Sequence, residues 1–171
     1  KGSGGSEAPA SPSDGAANAA ERTGRWRRRG HPEGGAMSLE IDVLTLFPEV
    51  VEVPLRASIP GRALERGLAV LRVHDLRRWG LGRHRAVDDY PYGGGAGMVL
   101  RPEPVAAALD ELRRPDSCVI LPDPAGEPFR QERARDLSRR PHLILVCPRY
   151  EGVDERIREL VDLEISIGDV V

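Results

Sequence analysis

Residues able to do chemistry gather in four stretches of this 171-residue sequence. One is glycine-rich, Tyr92-Gly93-Gly94-Gly95-Ala96-Gly97-Met98. It fails as a phosphate loop: no Gly-Lys-Ser/Thr follows, and the Gly-x-Gly-x-x-Gly spacing is not met. Its flanks hold Arg83, His84, Arg85, Asp88, Asp89 and Tyr90, a mix that can hold phosphate and base at once. A plain flexible loop is the alternative. The other three stretches each follow an apolar run. They are Pro122-Asp123-Pro124-Ala125-Gly126-Glu127-Pro128 after Leu121, Pro148-Arg149-Tyr150-Glu151-Gly152-Val153-Asp154-Glu155-Arg156 after Cys147, and Gly168-Asp169-Val170-Val171 after Ile167. Ligands of open α/β sheets bind outside the carboxyl ends of the strands, and glycine lets a backbone approach a ligand closely. Ordinary strand-to-helix turns fit the same spacing. The histidines (His31, His74, His84 and His142) lack metal-ligand spacing, and neither Cys-x-x-Cys nor His-Glu-x-x-His occurs. No metal is expected.

Something must hold these stretches in place, and the apolar pattern says what. Leu39, Ile41, Val43, Leu44, Leu46 and Phe47 predict a strand ending at Pro48. Short helices are expected over 49–57 and 62–66, the second stopped by Gly67. Residues 69–73 read as a strand, and 80–97 as a long loop, a length that is usually functional or disordered. Pro102 and Pro104 suit the first turn of a helix whose buried stripe is Val105, Ala108, Leu109 and Leu112. A short strand at 118–121, a polar helix at 131–138 and an apolar, buried-type strand at 142–147 follow. A charged helix at 154–160 and a strand at 163–167 complete the pattern. Strands alternating with helices specify an α/β fold: a parallel sheet flanked by helices. The sequence stops just after a strand and a Gly-Asp turn, which reads as truncation on the C-terminal side.

Composition divides the chain. Residues 1–36 are Gly, Ala, Ser, Pro and charge with almost no branched aliphatic residues, so they cannot offset their ordering entropy by burial and are expected to be a disordered tail. Met37 is the candidate start of a domain at 37–171. The run Arg25-Trp26-Arg27-Arg28-Arg29 could clamp RNA by charge and stacking, with a solvated tail as the alternative. Of 25 basic and 27 acidic side chains, six and four lie in the tail, leaving 19 and 23 for the domain. That mild acidity lacks the basic footprint usual in nucleic-acid binders. No apolar run approaches a signal peptide or a membrane span. Cys118 and Cys147 sit far apart inside apolar runs, as buried free thiols of a reducing compartment do. A cytoplasmic protein with no membrane association is expected.

The residues also resemble a family. Asp88-Asp89-Tyr90-Pro91-Tyr92-Gly93-Gly94-Gly95-Ala96-Gly97-Met98 resembles the signature loop of the bacterial tRNA (guanine-N1)-methyltransferases. Arg149-Tyr150-Glu151-Gly152-Val153-Asp154-Glu155-Arg156 resembles their second signature, and Ser166-Ile167-Gly168-Asp169 opens the third. Leu44-Thr45-Leu46-Phe47-Pro48-Glu49 resembles the family's usual beginning, and the likeness covers 37–171.

This resemblance implies a SPOUT-class fold with a deep trefoil knot, working as a homodimer; patterning alone would not suggest a knot. It implies transfer of methyl from S-adenosyl-L-methionine to N1 of the guanosine immediately 3′ of the anticodon in tRNA. Three segments would hold the donor: Leu121, Pro122, Asp123 and Pro124; then Pro148, Tyr150 and Gly152; then Ile167, Gly168, Asp169, Val170 and Val171. Glu151 would face the target guanine. Arg83, His84, Arg85, Asp88, Asp89, Tyr92, Gly93, Gly94, Gly95 and Gly97 would position tRNA. The family's aspartate base and arginine cation lie beyond the third signature, as does the knot's threading segment. The knot is therefore expected to be incomplete and the chain inactive alone, and Asp169 belongs to the donor turn rather than being that base. The sequence departs from the family at Pro148, where glycine is usual, at Val170, where tyrosine is usual, and at Leu121-Pro122-Asp123. One rival reading is a non-catalytic RNA-binding or dimerisation remnant of the same fold. Another is an unrelated nucleotide-binding α/β domain, which should show no affinity for the donor.

Overall fold

A computed structural model describes residues 38–91, 94, 97–149 and 152–168. The expected tail at 1–36, Met37, Tyr92, Gly93, Gly95, Ala96, Tyr150, Glu151, Asp169, Val170 and Val171 lie outside the described residues. The β-branched and aliphatic runs form β1 (Leu39–Thr45), β2 (Ala69–Asp75), β5 (Ser117–Pro128), β6 (His142–Val146) and β7 (Leu163–Ser166). These pair in the order β2-β1-β6-β5-β7, every neighbour parallel. The helices are α1 (Pro48–Leu55), α2 (Ser58–Glu65), α3 (Pro102–Leu112) and α4 (Gln131–Leu137).

Alternation along each strand sends side chains to opposite faces. On one face Leu44, Val119, Leu121, Ile144 and Val146 pack against Val105, Ala108 and Leu109 of α3. On the other, Cys118, Ile120, Leu143 and Ile165 pack against Leu137 of α4. The expected α3 stripe is thus the buried one, and Pro102 and Pro104 occupy its first turn.

Four segments differ from their local pattern. The stretch 80–97 is not wholly irregular: Leu81 and Ala86 exchange both backbone hydrogen bonds, and β3 (Asp88–Asp89) pairs antiparallel with β4 (Val99–Leu100). Residues 122–128, expected as a loop, belong to β5, because β7 lies alongside and pairs with Pro122, Glu127 and Pro128. The charged segment at 154–160 forms a 3-10 helix at Glu155–Leu160, and the last strand stops at Ser166, one residue short of Ile167.

The continuation of β5 is bulged. Pro122 and Glu127 both pair with Ile165, so the four residues between them leave the ladder. Gly126 brings the chain back against β7, where a Cβ would lie 2.6 Å from the Ile165 nitrogen and 2.7 Å from the Glu164 carbonyl carbon. A methyl there must push backbone aside, so Gly126→Ala should destabilise the protein by about 1–3 kcal/mol. Urea midpoints of the two proteins check this; equal midpoints would mean the β5–β7 contact is loose.

A polar cluster ties the amino-terminal half of the sheet. Asp42, 1% exposed, accepts from Arg72 Nε at 2.8 Å and Nη2 at 3.0 Å, His74 Nε2 at 2.7 Å and His142 Nε2 at 2.6 Å. A carboxylate only accepts, so both imidazoles present Nε2–H to it. Nδ1 of His142 then takes the Ser117 hydroxyl at 2.6 Å, and the Ser117 oxygen accepts the Arg114 backbone N–H at 2.8 Å. Glu40 adds a carboxylate shared by Arg72 and Arg114. Burial pushes the Asp42 carboxyl upward, but the Arg72, His74 and His142 hydrogen bonds outweigh it and hold the group well below the usual carboxylate range.

Candidate functional site

Because β6, β5 and β7 are neighbours in one parallel sheet, the segments that follow Leu121, Val146 and Ser166 emerge at the same edge. That is where open α/β sheets place ligands. In the first segment Leu121 is buried, Pro122 and Asp123 are half-buried and Pro124 is exposed. Asp123 Oδ1 accepts the Ala125 N–H at 2.8 Å and shapes the bulge. Its Oδ2 accepts from Arg158 Nη2 at 3.0 Å.

The second segment leaves β6 through Cys147, whose N–H donates to the Leu44 carbonyl at 2.9 Å. Pro148 is half-buried and has no N–H to offer. Gly152 has φ +146°, backbone that side-chain-bearing residues rarely adopt. Its carbonyl accepts from Leu100 N–H at 3.1 Å, and Asp154 N–H donates to the Leu100 carbonyl at 3.0 Å. β4, just after the glycine-rich stretch, is therefore zipped onto the second segment, a link that no local pattern carries. Asp154 in turn is held down at about 2, chiefly by its hydrogen bonds from Arg156. In the third segment Ile167 is 85% exposed, and Gly168 follows with φ +157°.

The cationic residues ahead of the glycines sit at the tip of the Leu81–Ala86 turn. Arg83, His84 and Arg85 are all exposed, and Arg85 has a positive φ of +52°. Gly80 permits this turn, since a Cβ there would lie 2.3 Å from the Arg85 carbonyl oxygen. Asp88 and Asp89 belong to β3, and Asp89 pairs with Arg101 at 3.1 Å; its other oxygen accepts the Tyr90 N–H at 2.8 Å. Gly94 and Gly97 are exposed with φ +79° and +94°.

Val50, Val51 and Arg77, which the local sequence did not single out, join residues that it did. A cleft of about 350 Å³ is lined by Thr45, Phe47, Val50, Val51, Cys147, Pro148 and Arg149. The Arg77 and Arg149 guanidinium carbons lie 5.7 and 5.4 Å from the Phe47 ring centroid. Burial pushes the Cys147 thiol up, which makes it a wall of the cleft and not a thiolate nucleophile. The described residues contain no group of three or more His, Cys, Asp or Glu side chains placed to hold a metal. None of their helices is long and apolar enough to cross a membrane.

Comparison with known proteins adds to this geometry. The family model for tRNA (guanine-1)-methyltransferase TrmD matches residues 39–171. The tRNA (guanine-N(1)-)-methyltransferase of Syntrophotalea carbinolica is 56% identical over 132 residues, 76% of this chain and 53% of the relative. That of Chloroflexus aggregans is 53% identical over 137 residues, 78% and 54% of the two chains. That of Dictyoglomus turgidum is 50% identical over 133 residues, again 78% and 54%. The chain spans about half the length of the curated relatives it matches.

Proposed function

The chain belongs to the tRNA (guanine-1)-methyltransferase family, and from that membership we propose that the protein containing it methylates N1 of guanine in tRNA, with S-adenosyl-L-methionine as donor. The target is the guanosine immediately 3′ of the anticodon. Residues 37–171 carry the donor half of the site, and 1–36 are a dispensable tail. The observation that carries this reading is the convergence of the second and third signature segments with the β5 segment on one sheet edge. The remnant reading, RNA binding or dimerisation without catalysis, has no such observation favouring it.

The donor suits what lines the edge. It is a cationic sulfonium carrying an apolar adenine, and the edge offers apolar Leu121, Pro122 and Pro148 together with main-chain groups at Gly152 and Gly168, whose backbone takes conformations that side-chain-bearing residues rarely adopt. Its sulfonium makes the methyl group electrophilic, so the protein's task is largely alignment. Leu121, Pro122, Asp123 and Pro124 hold it from β5, Pro148, Tyr150 and Gly152 from β6, and Ile167, Gly168, Asp169, Val170 and Val171 from β7. Glu151 faces the guanine. N1 of guanine bears a weakly acidic proton, which a general base must accept, and charge developing on O6 needs a cation. Family resemblance puts both groups after the third signature.

Arg83, His84 and Arg85 on their exposed turn, together with Asp88, Asp89, Tyr92, Gly93, Gly94, Gly95 and Gly97, grip tRNA. The mildly acidic charge of the domain does not oppose this, because a local cationic turn suffices for phosphate contacts. The protein works as a homodimer in a cytoplasmic setting. Val50 and Val53 on α1 and Ile59 on α2 are 66%, 68% and 76% exposed, and large apolar side chains left exposed are of the kind that subunits cover.

The test is incubation of the whole protein with labelled S-adenosyl-L-methionine and an unmodified tRNA transcript, followed by nucleoside mass spectrometry. The expected product is 1-methylguanosine at the position 3′ of the anticodon, with little product once that guanosine is replaced. Label in another nucleoside, or none at all, would overturn the reading.

A further inference from the structure

We infer that Arg158 is a positioning residue for the methyl donor: through Asp123 it holds the bulge of β5 in its ligand-ready shape. The inference rests on the proposed function. Arg158 lies in the 3-10 helix that prolongs the second signature. Its guanidinium meets acids from three elements: Asp123 in the β5 bulge, Glu164 in β7 and Glu155 in its own helix. The Asp123 and Arg158 side chains are 14% and 26% exposed, so the pair is sheltered from much of the screening that makes surface ion pairs weak.

The geometry gives this contact a consequence beyond stability. One Asp123 oxygen bonds Arg158 at 3.0 Å while the other accepts the Ala125 N–H at 2.8 Å. The carboxylate therefore passes the position of Arg158 to the backbone of the bulge. Residues 123–126 have no ladder partner of their own, since Pro122 and Glu127 both pair with Ile165. The bulge is left to be shaped by the Asp123–Arg158 bond and by the seating of Gly126 on Ile165. With Glu164 as its other anchor, Arg158 joins β7, the second signature's helix and the β5 bulge in one ionic knot. A planar guanidinium can bond several acids in fixed directions, whereas an ammonium acts as a point charge.

Four forms of the whole protein decide this: wild type, Arg158→Gln, Arg158→Lys and Asp123→Asn. Arg158→Gln is expected to raise the donor KM ten- to hundredfold, on the order seen when a bound group is misplaced by about 1 Å, while the KM for tRNA stays within about twofold. Arg158→Lys should recover part of the loss. Asp123→Asn should lose at least as much as Arg158→Gln, since Asp123 is also assigned to the donor, and the double variant should be no worse than Asp123→Asn alone, because the effect of Arg158 passes through Asp123. Hydrogen exchange without ligand provides a second readout: the Ala125 and Gly126 amides should exchange at least tenfold faster in Arg158→Gln. Unchanged exchange and donor KM, or equal rises in donor and tRNA KM that merely track a lower melting temperature, would overturn the role of Arg158. Titration of the wild type with S-adenosylhomocysteine separates that failure from failure of the donor reading. Absence of binding there sinks the donor site and the inference with it, whereas tight binding that Arg158→Gln leaves intact sinks only the inference.

Discussion

Residues 1–171 produced alone should transfer methyl groups to tRNA at least about a hundredfold more slowly than the same residues within a protein of the relatives' full length. The relatives are roughly twice as long as the matched region, and the resemblance puts the aspartate base beyond the third signature. A positioned general base contributes about 10²–10⁴ in rate. In both proteins donor affinity should also be lower than in their Pro148→Gly variants. Pro148 offers no N–H, and one lost hydrogen bond to a buried ligand costs on the order of 1–3 kcal/mol, or roughly ten- to hundredfold in affinity. A single-turnover assay with radiolabelled donor compares the two proteins side by side. Similar rates would show that the base lies within the 171 residues and has been misassigned.

The second large effect concerns the far end of the sheet. Asp42→Ala should destabilise the fold by about 3–5 kcal/mol, the range for breaking a buried charge pair by removing one partner. Three side chains, Arg72, His74 and His142, lose their shared acceptor, and His142 is 0% exposed, so water cannot replace it. Against a total of about 5–15 kcal/mol this is a large fraction, and the melting temperature should fall by roughly 10–20 °C. Asp42→Asn, which keeps one acceptor oxygen, should fall less. Circular dichroism melts measure both, and a shift under about 3 °C for the alanine protein would mean the cluster adds little.

The same cluster sets an acid limit. Arg114 and then Arg72 hold the Glu40 carboxyl down at about 2, from an ordinary 4.5, and Asp42 is also lowered. A depressed folded-state value contributes stability that is full above the unfolded value and lost as pH falls toward the folded one. Urea midpoints should therefore hold from pH 7 to about 5 and decline between about 4.5 and 2, with a shallower decline in Asp42→Asn.

Strand and helix identities were readable in the residues because burial imposes short periods. The apolar stripe Val105, Ala108, Leu109 and Leu112 and the apolar run ahead of Cys147 state their surroundings by composition alone. The signatures were readable for a different reason: glycine, proline and charge at fixed spacing are a pattern of residue types, and such patterns need no coordinates. Tertiary structure alone decided which distant residues meet. Residues 122–128 are poor in strand-forming character, yet they extend β5 because β7 lies beside them and Gly126 can seat on its backbone. Asp42 looks like any acid on a half-exposed strand until Arg72 and His74 from β2 and His142 from β6 close around it, up to 100 positions away. Arg158 reads as one more charge in a charged segment, and its role follows from Asp123 and Glu164 arriving on other strands. Local periodicity encodes how much of a residue is buried, whereas the choice of partner depends on chain crossings that no window of sequence contains.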